Sequence, residues 1–279
     1  MKNHIISSTF IICGLFLTSL SCSKFVEGNP PQNEVVSSVV FSDDATAKSA
    51  GRGMYSLMMS SPSFLNGGLE QYTGLYSDEL RNHATRVDQV QFASNSLAST
   101  NNVVLTVFWR EAYKYISHAN SILEGIASSN SLSHEVKTQL QGEALFVRAF
   151  CHFYLVNLFG EIPYVVTTDY RVNSIISRMP EPVVYQKIIE DLNSASDKLS
   201  GDFIFSGGKR TYPSKWAAKA MLARVYLYLG DWNKAEQFAS EVINQNSVFN
   251  LSANLATVFK AKSPETNWEL QQVIGQNNT

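Results

Sequence analysis

Residues 142–163 read GEALFVRAFCHFYLVNLFGEIP, from Gly142 to Pro163. Ala144, Leu145, Val147, Ala149, Phe150, Phe153, Leu155, Val156, Leu158 and Phe159 leave no wide polar face, so a helix built from this stretch must be buried. Gly160, followed by Pro163, ends it: glycine tolerates the left-handed closing conformation and proline cannot continue the helix. Glu143 and Arg148 are the exceptions. They are not spaced as an i,i+4 pair, so each needs its own partner or an exit to solvent, because an unpaired buried charge is costly.

On either side the same helical period recurs. Trp109, Ala112, Tyr113, Ile116, Asn120, Leu123 and Ile126 fall at steps of three and four, which predicts an amphipathic helix over about 106–127. A break at 128–133 precedes the central helix, expected over 133–159. Val184, Ile188, Leu192, Ala195 and Leu199 predict a further helix over 182–199, opened by Pro182. Its adjacent Glu190 and Asp191 point about 100° apart, cannot converge on one substrate and read as solvated charges. Leu222-Ala223, Tyr226, Gly230, Trp232 and Ala235 resemble the framework of a tetratricopeptide repeat, giving a last pair over 214–230 and 232–245 with its turn at Gly230-Asp231. The fold class is mostly all-α: tetratricopeptide-like helix pairs with long irregular loops and a few short strands. The 133–159 helix is shared between the first pair and the 182–199 helix.

Arg148-Ala149-Phe150 and Leu158-Phe159-Gly160-Glu161-Ile162-Pro163 closely resemble the RAF…LxxxFGxxP hallmark of SusD-like (RagB/SusD) nutrient-uptake lipoproteins of Gram-negative outer membranes. Gly74-Leu75-Tyr76-Ser77-Asp78-Glu79-Leu80 extends the resemblance to the stretch after the first helix. It implies a lipid-anchored, non-enzymatic binding subunit at the cell surface that caps a SusC-type TonB-dependent transporter and captures a glycan or oligosaccharide. It also implies that the family continues for roughly as long again, so the chain resembles its N-terminal half. The irregular excursion from Glu161 to Glu181 departs from a compact repeat and agrees with the family's long loops.

The beginning of the chain fits an exported protein. Lys2 followed by an apolar run from Ile5 to Leu20 is short of the roughly 20 residues a spanning helix needs and reads as a signal peptide over 1–21. Leu20-Ser21-Cys22-Ser23 looks like a lipobox with Cys22 as the lipidation site, although Ser19 stands where the strict pattern has an aliphatic residue. Ordinary cleavage or an uncleaved anchor, with Cys22 a free thiol, is the other reading. Several acyl chains on Cys22 would anchor the protein stably, each buried methylene contributing roughly 0.8 kcal/mol. Of three cysteines, Cys13 lies in the signal and Cys151 in the buried helix, which leaves no intramolecular disulfide in the mature chain. A polar, proline-bearing tether over 22–41 then leads to a helical domain over 42–279. Ser42 or Asp43 caps its first helix; the alternative role for Asp43 and Asp44 is an acid–base or metal pair.

Composition excludes little except nucleic acid: 22 basic and 24 acidic residues give a net charge of −2 and no basic field. The five histidines form no HExxH pattern, and Gly207-Gly208-Lys209 lacks the rest of a phosphate loop. No G-x-S-x-G elbow occurs, and no carboxylate pair suggests itself for the spacing of about 5 to 10 Å that a glycosidase needs. No cofactor or metal is expected.

From Pro62 to Thr100 little regular structure is expected, and Asp78, Glu79, Arg81, Asn82 and His83 read as a solvated turn, a hydrogen-bonded knot or a ligand contact. Aromatics make up 11% of the chain. Trp109, Tyr113, Phe150, Phe153, Trp216 and Tyr226 fall at core spacing, whereas Tyr72, Tyr76, Tyr164, Tyr170, Tyr212 and Trp268 are the candidates outside helices for stacking on sugar. Trp268 to Val273 alternates as a strand would, and an exposed edge there would invite pairing with another chain. A tetratricopeptide scaffold that binds protein partners is the alternative function, and a fragment lacking the ligand site is a third.

Overall fold

A computed structural model describes residues 37–60 and 63–271. The signal, Cys22 and most of the tether lie outside these residues. The end of the 22–41 stretch belongs to the folded body: Ser37–Val40 is helical (α1), and Phe41 is buried against Gly125. Asp43 is the cap of the next helix, Asp44–Met58 (α2), its side chain accepting from the N–H groups of Ala45 and Thr46 at 2.8 and 3.0 Å. Capping, not metal or acid–base chemistry, is therefore its role.

Two short helices, Gly68–Tyr76 (α3) and Val87–Ala93 (α4), occupy the region expected to be irregular. Gly67-Gly68 starts α3, because Gly67 takes a left-handed φ of 80° and Gly68 fits against Ser63 and Val107 where a Cβ would not. Tyr72, Phe92 and Phe64 of this region pack on Phe108, and those buried rings supply the stability that local propensity lacks. A π-helical segment, Val104–Arg110, widens the start of the next helix, Glu111–Ser128 (α5).

His134–Phe159 (α6) is the centre of the fold, capped by Ser133 and closed by Gly160 at φ 70°. It packs most extensively on Glu181–Lys198 (α8) and on α5. The single helical turn Tyr170–Asn173 (α7) interrupts the otherwise irregular excursion after it. Lys215–Tyr228 (α9) and Trp232–Ile243 (α10) form the last hairpin around Gly230, φ 73°, with Tyr226 and Phe238 stacked across it. Trp232, expected inside a repeat pair, is 66% exposed. The expected helix pairs are present, with α6 shared between two of them.

No strand occurs among the described residues, only isolated bridges of Ser63 with Gly67 and Ile162 with Met179. The few short strands anticipated reduce to these. Trp268 and Leu270 turn inward on the helical core, so their period of two reflects packing; a single Glu269 N–H···O=C Arg210 bond of 2.9 Å stands in place of a ladder.

Candidate functional site

The two charges on α6 lie in two separate buried joints. Arg148 reaches α8, where its Nε and Nη2 donate to the two carboxylate oxygens of Asp191, both at 2.7 Å, and its Nη1 donates to Asn120 Oδ1 of α5 at 3.0 Å. Tyr164 O–H donates to the same carboxylate at 2.6 Å. Asp191 is therefore not the solvated charge its neighbour Glu190 is: at 8% exposure it faces the core. The turn of about 100° between adjacent helix positions that separates the two carboxylates also sends one inward and one outward.

This knot fastens the loop that follows Gly160. His152 stacks on Tyr164 with centroids 3.9 Å apart, donates from Nδ1 to Arg148 C=O at 2.9 Å and accepts the Val165 N–H on Nε2 at 3.2 Å. That pattern requires the neutral ring, and burial pushes its pKa down to about 3. Asn120 Nδ2 donates to Val165 C=O at 3.1 Å and Tyr113 O–H to Pro163 C=O at 2.8 Å. Glu124, unremarked in the sequence, accepts from the Thr167 hydroxyl, the Thr168 N–H and the Thr168 hydroxyl. With its polar groups bonded to one another, the knot frames the loop and offers little to a ligand.

Glu143 makes the other joint. Tyr55 O–H of α2 and Gln139 Nε2 donate to its two oxygens at 2.8 Å each, and burial raises its pKa to about 7. Tyr55 stacks on Tyr212, centroids 5.2 Å apart, and meets Trp268 edge-on at 6.4 Å.

Beside that aromatic stack opens a cavity of about 700 Å³ between α6, α9 and the segment 258–268. Phe146, Phe150 and Trp268 form its apolar wall, with Trp268 edge-on to both rings at 5.2 and 5.5 Å and its indole N–H bonded to Thr211 C=O. Phe259, 99% exposed, stands at the rim. Glu70, Arg224 and Asn267 supply polar groups, and Asn267 Oδ1 is buried without a hydrogen-bond partner among the described residues. Flat rings beside a few planar hydrogen-bonding groups suit a ligand with an apolar face and a hydroxyl rim, such as a pyranose.

Only Trp268 of the six sugar-stacking candidates reaches this cavity. Tyr72 and Tyr76 lie on α3, Tyr72 buried and Tyr76 half-exposed against Phe92. Tyr164 is consumed by the knot, Tyr170 projects into solvent on α7, and Tyr212 supports Tyr55. Phe150, placed in the core by its spacing, is half-buried and lines the cavity. Glu70 and Arg224 carried no sequence signal. Asp78, Glu79, Arg81 and His83 are exposed and make no side-chain hydrogen bond or ion pair among the described residues, while Asn82 closes a turn on Ala84: the stretch is a solvated turn. Cys151 is a buried core residue whose thiol burial pushes far up. Among the described residues no cluster of three metal-ligating side chains occurs, and no helix is long and apolar enough to cross a membrane. Cys22 lies outside them.

The chain is a frame of helix hairpins with long, internally fastened loops and an open aromatic cavity. A family profile described as starch-binding and associating with the outer membrane matches residues 33–227. The chain belongs to this SusD-like family. SusD-like protein P2 of Formosa agariphila is 34% identical over 247 residues, covering 87% of this chain and 47% of that protein. A SusD superfamily protein from Bacteroides vulgatus superposes with a TM-score of 0.72 at 19% identity, covering 82% of this chain and 50% of that one. A laminarin-binding SusD-like protein superposes with a TM-score of 0.66 at 21% identity, covering 77% and 47%. The chain spans about half the length of the curated relatives it matches.

Proposed function

We propose that this protein is a non-enzymatic, glycan-binding subunit of an outer-membrane nutrient-uptake system, working with a SusC-type TonB-dependent transporter. The observation that carries the reading is the aromatic cavity walled by Trp268, Phe146 and Phe150 in a member of a family described as starch-binding. Cys22 bears the lipid anchor after removal of residues 1–21, the tether follows, and the helical domain sits at the cell surface. The rigid frame holds the ligand while the transporter opens beneath it. A glycan array probed with the mature protein, together with co-purification from membranes, tests this. Hits among neutral oligosaccharides and recovery of a barrel partner are expected.

One observation favours the scaffold alternative. Leu251, Leu255 and Phe259 are 90%, 84% and 99% exposed on the segment 251–259, whose Phe259 stands at the rim of the same cavity. Apolar side chains so placed suit a polypeptide partner that covers the face. An array without hits, beside a reproducible protein partner bound through these residues, would select that reading.

A further inference from the structure

Glu143 lies where α6, α2 and the segment 203–212 meet. Its carboxyl adjoins a void of about 20 Å³, room for a single water, which Lys48, Arg52, Leu140, Phe205 and Tyr212 also line. The Lys48 ammonium hangs 5.6 Å from the Phe205 ring centre, and Arg52 Nε donates to the Tyr212 hydroxyl at 3.3 Å. Among the described residues neither cation forms an ion pair. The titratable and charged groups facing the carboxyl are thus Lys48, Arg52 and Tyr55 from α2 and Tyr212 from the 203–212 segment; on α6 its neighbour Gln139 is neutral, and no second carboxyl lines the void.

Burial strips the carboxylate of its hydration and no counter-ion touches it, which favours the protonated form, while the bonds its two oxygens accept from Tyr55 and Gln139 offset that only in part. Its titration falls near neutrality for that reason. The nearest remedy on ionisation is a flexible lysine stem already at the mouth of the void. At present the ammonium is held by the Phe205 ring and by the Asp44 charge one turn earlier on α2, and an ionised, unpaired Glu143 competes with both for it.

We propose that Glu143 is a proton-operated latch: protonated, it leaves Phe205 and Tyr212 seated over α2; ionised, it draws the Lys48 ammonium away from Phe205 into the void. The proton departs to solvent, and the 203–212 segment loosens. Tyr212 is the link outward, because it stacks on Tyr55, which in turn meets Trp268 in the wall of the aromatic cavity. The latch regulates the cavity that the glycan reading uses, yet it requires no ligand, so the two stand or fall separately.

Hydrogen exchange of the full chain, followed from about pH 5.5 to about pH 8.5 and corrected for intrinsic amide chemistry, tests the latch. Residues 203–212 should lose protection about tenfold through neutrality, while α6 amides stay constant. Glu143→Gln should hold the acid-state protection throughout, and Lys48→Met, which deprives the carboxylate of its counter-ion and leaves the core intact, should move the transition to higher pH. Flat protection in the parent protein, the same pH response in Glu143→Gln, or an unmoved midpoint in Lys48→Met would overturn the proposal.

Discussion

Replacing Asp191 with alanine isolates the contribution of the buried knot. The carboxylate accepts three bonds, two from Arg148 at 2.7 Å and one from Tyr164 at 2.6 Å, and the two ion-pair side chains are only 10% and 11% exposed. Truncation strands a buried guanidinium with Asn120 as its remaining side-chain partner, a loss of about 3–5 kcal/mol, since it leaves an uncompensated charge. For a domain of this size each kcal/mol lowers Tm by about 2–4 °C, so a fall of about 10 °C is expected. Urea unfolding and calorimetry of Asp191→Ala, Arg148→Met and the double variant Arg148→Met/Asp191→Leu provide the assay. The double variant should cost clearly less than the two single changes added together, because it removes both charges at once. A loss below about 1 kcal/mol for Asp191→Ala, the range of exposed ion pairs, or strict additivity in the double variant would refute the reasoning.

Further expectations concern single sites. Glu143 and His152 oppose one another in pH dependence. The raised carboxyl, about 7 against 4.5, stabilises fully below pH 4.5 and loses that contribution as pH rises through 7; the depressed imidazole, about 3 against 6.5, stabilises above pH 6.5 and loses it as pH falls through 3. Between pH 4.5 and 6.5 the two slopes cancel, so Glu143→Gln should gain about 3 kcal/mol across that window in urea titrations while the parent protein stays nearly flat. Gly125→Ala drives a methyl group into the Phe41 ring and should cost about 1–3 kcal/mol by the same assay, with the 37–41 segment detached in hydrogen exchange. Cys151, buried and with its thiol pushed up, should react with iodoacetamide only on global unfolding, as followed by mass spectrometry of its peptide.

The helical frame was legible because its strongest signals are local. An apolar run around α6, a glycine stop at Gly160 and period-3.6 spacing in α5 and α8 each act within a few turns of chain. Even the need of Glu143 and Arg148 for partners followed from burial alone. Their identities did not: Tyr55 lies 88 residues from Glu143 and Asp191 lies 43 from Arg148, so tertiary packing selects them. The same limit hid α3 and α4, whose short helices depend on rings gathered around Phe108. Trp268 was visible as an aromatic residue free of helical spacing, but its cavity was not, because Phe146, Arg224 and Glu70 come from three distant helices.

Glycan capture through the aromatic wall is tested most directly by calorimetric titration of neutral oligosaccharides into the parent protein and into Trp268→Ala. Saturable heat in the parent, abolished in Trp268→Ala under conditions where the variant still unfolds cooperatively from a folded state, is the predicted result; some loss of Tm accompanies removal of a ring packed on Phe146 and Phe150. Absence of heat with every oligosaccharide, or binding that survives loss of the indole unchanged, would contradict the account.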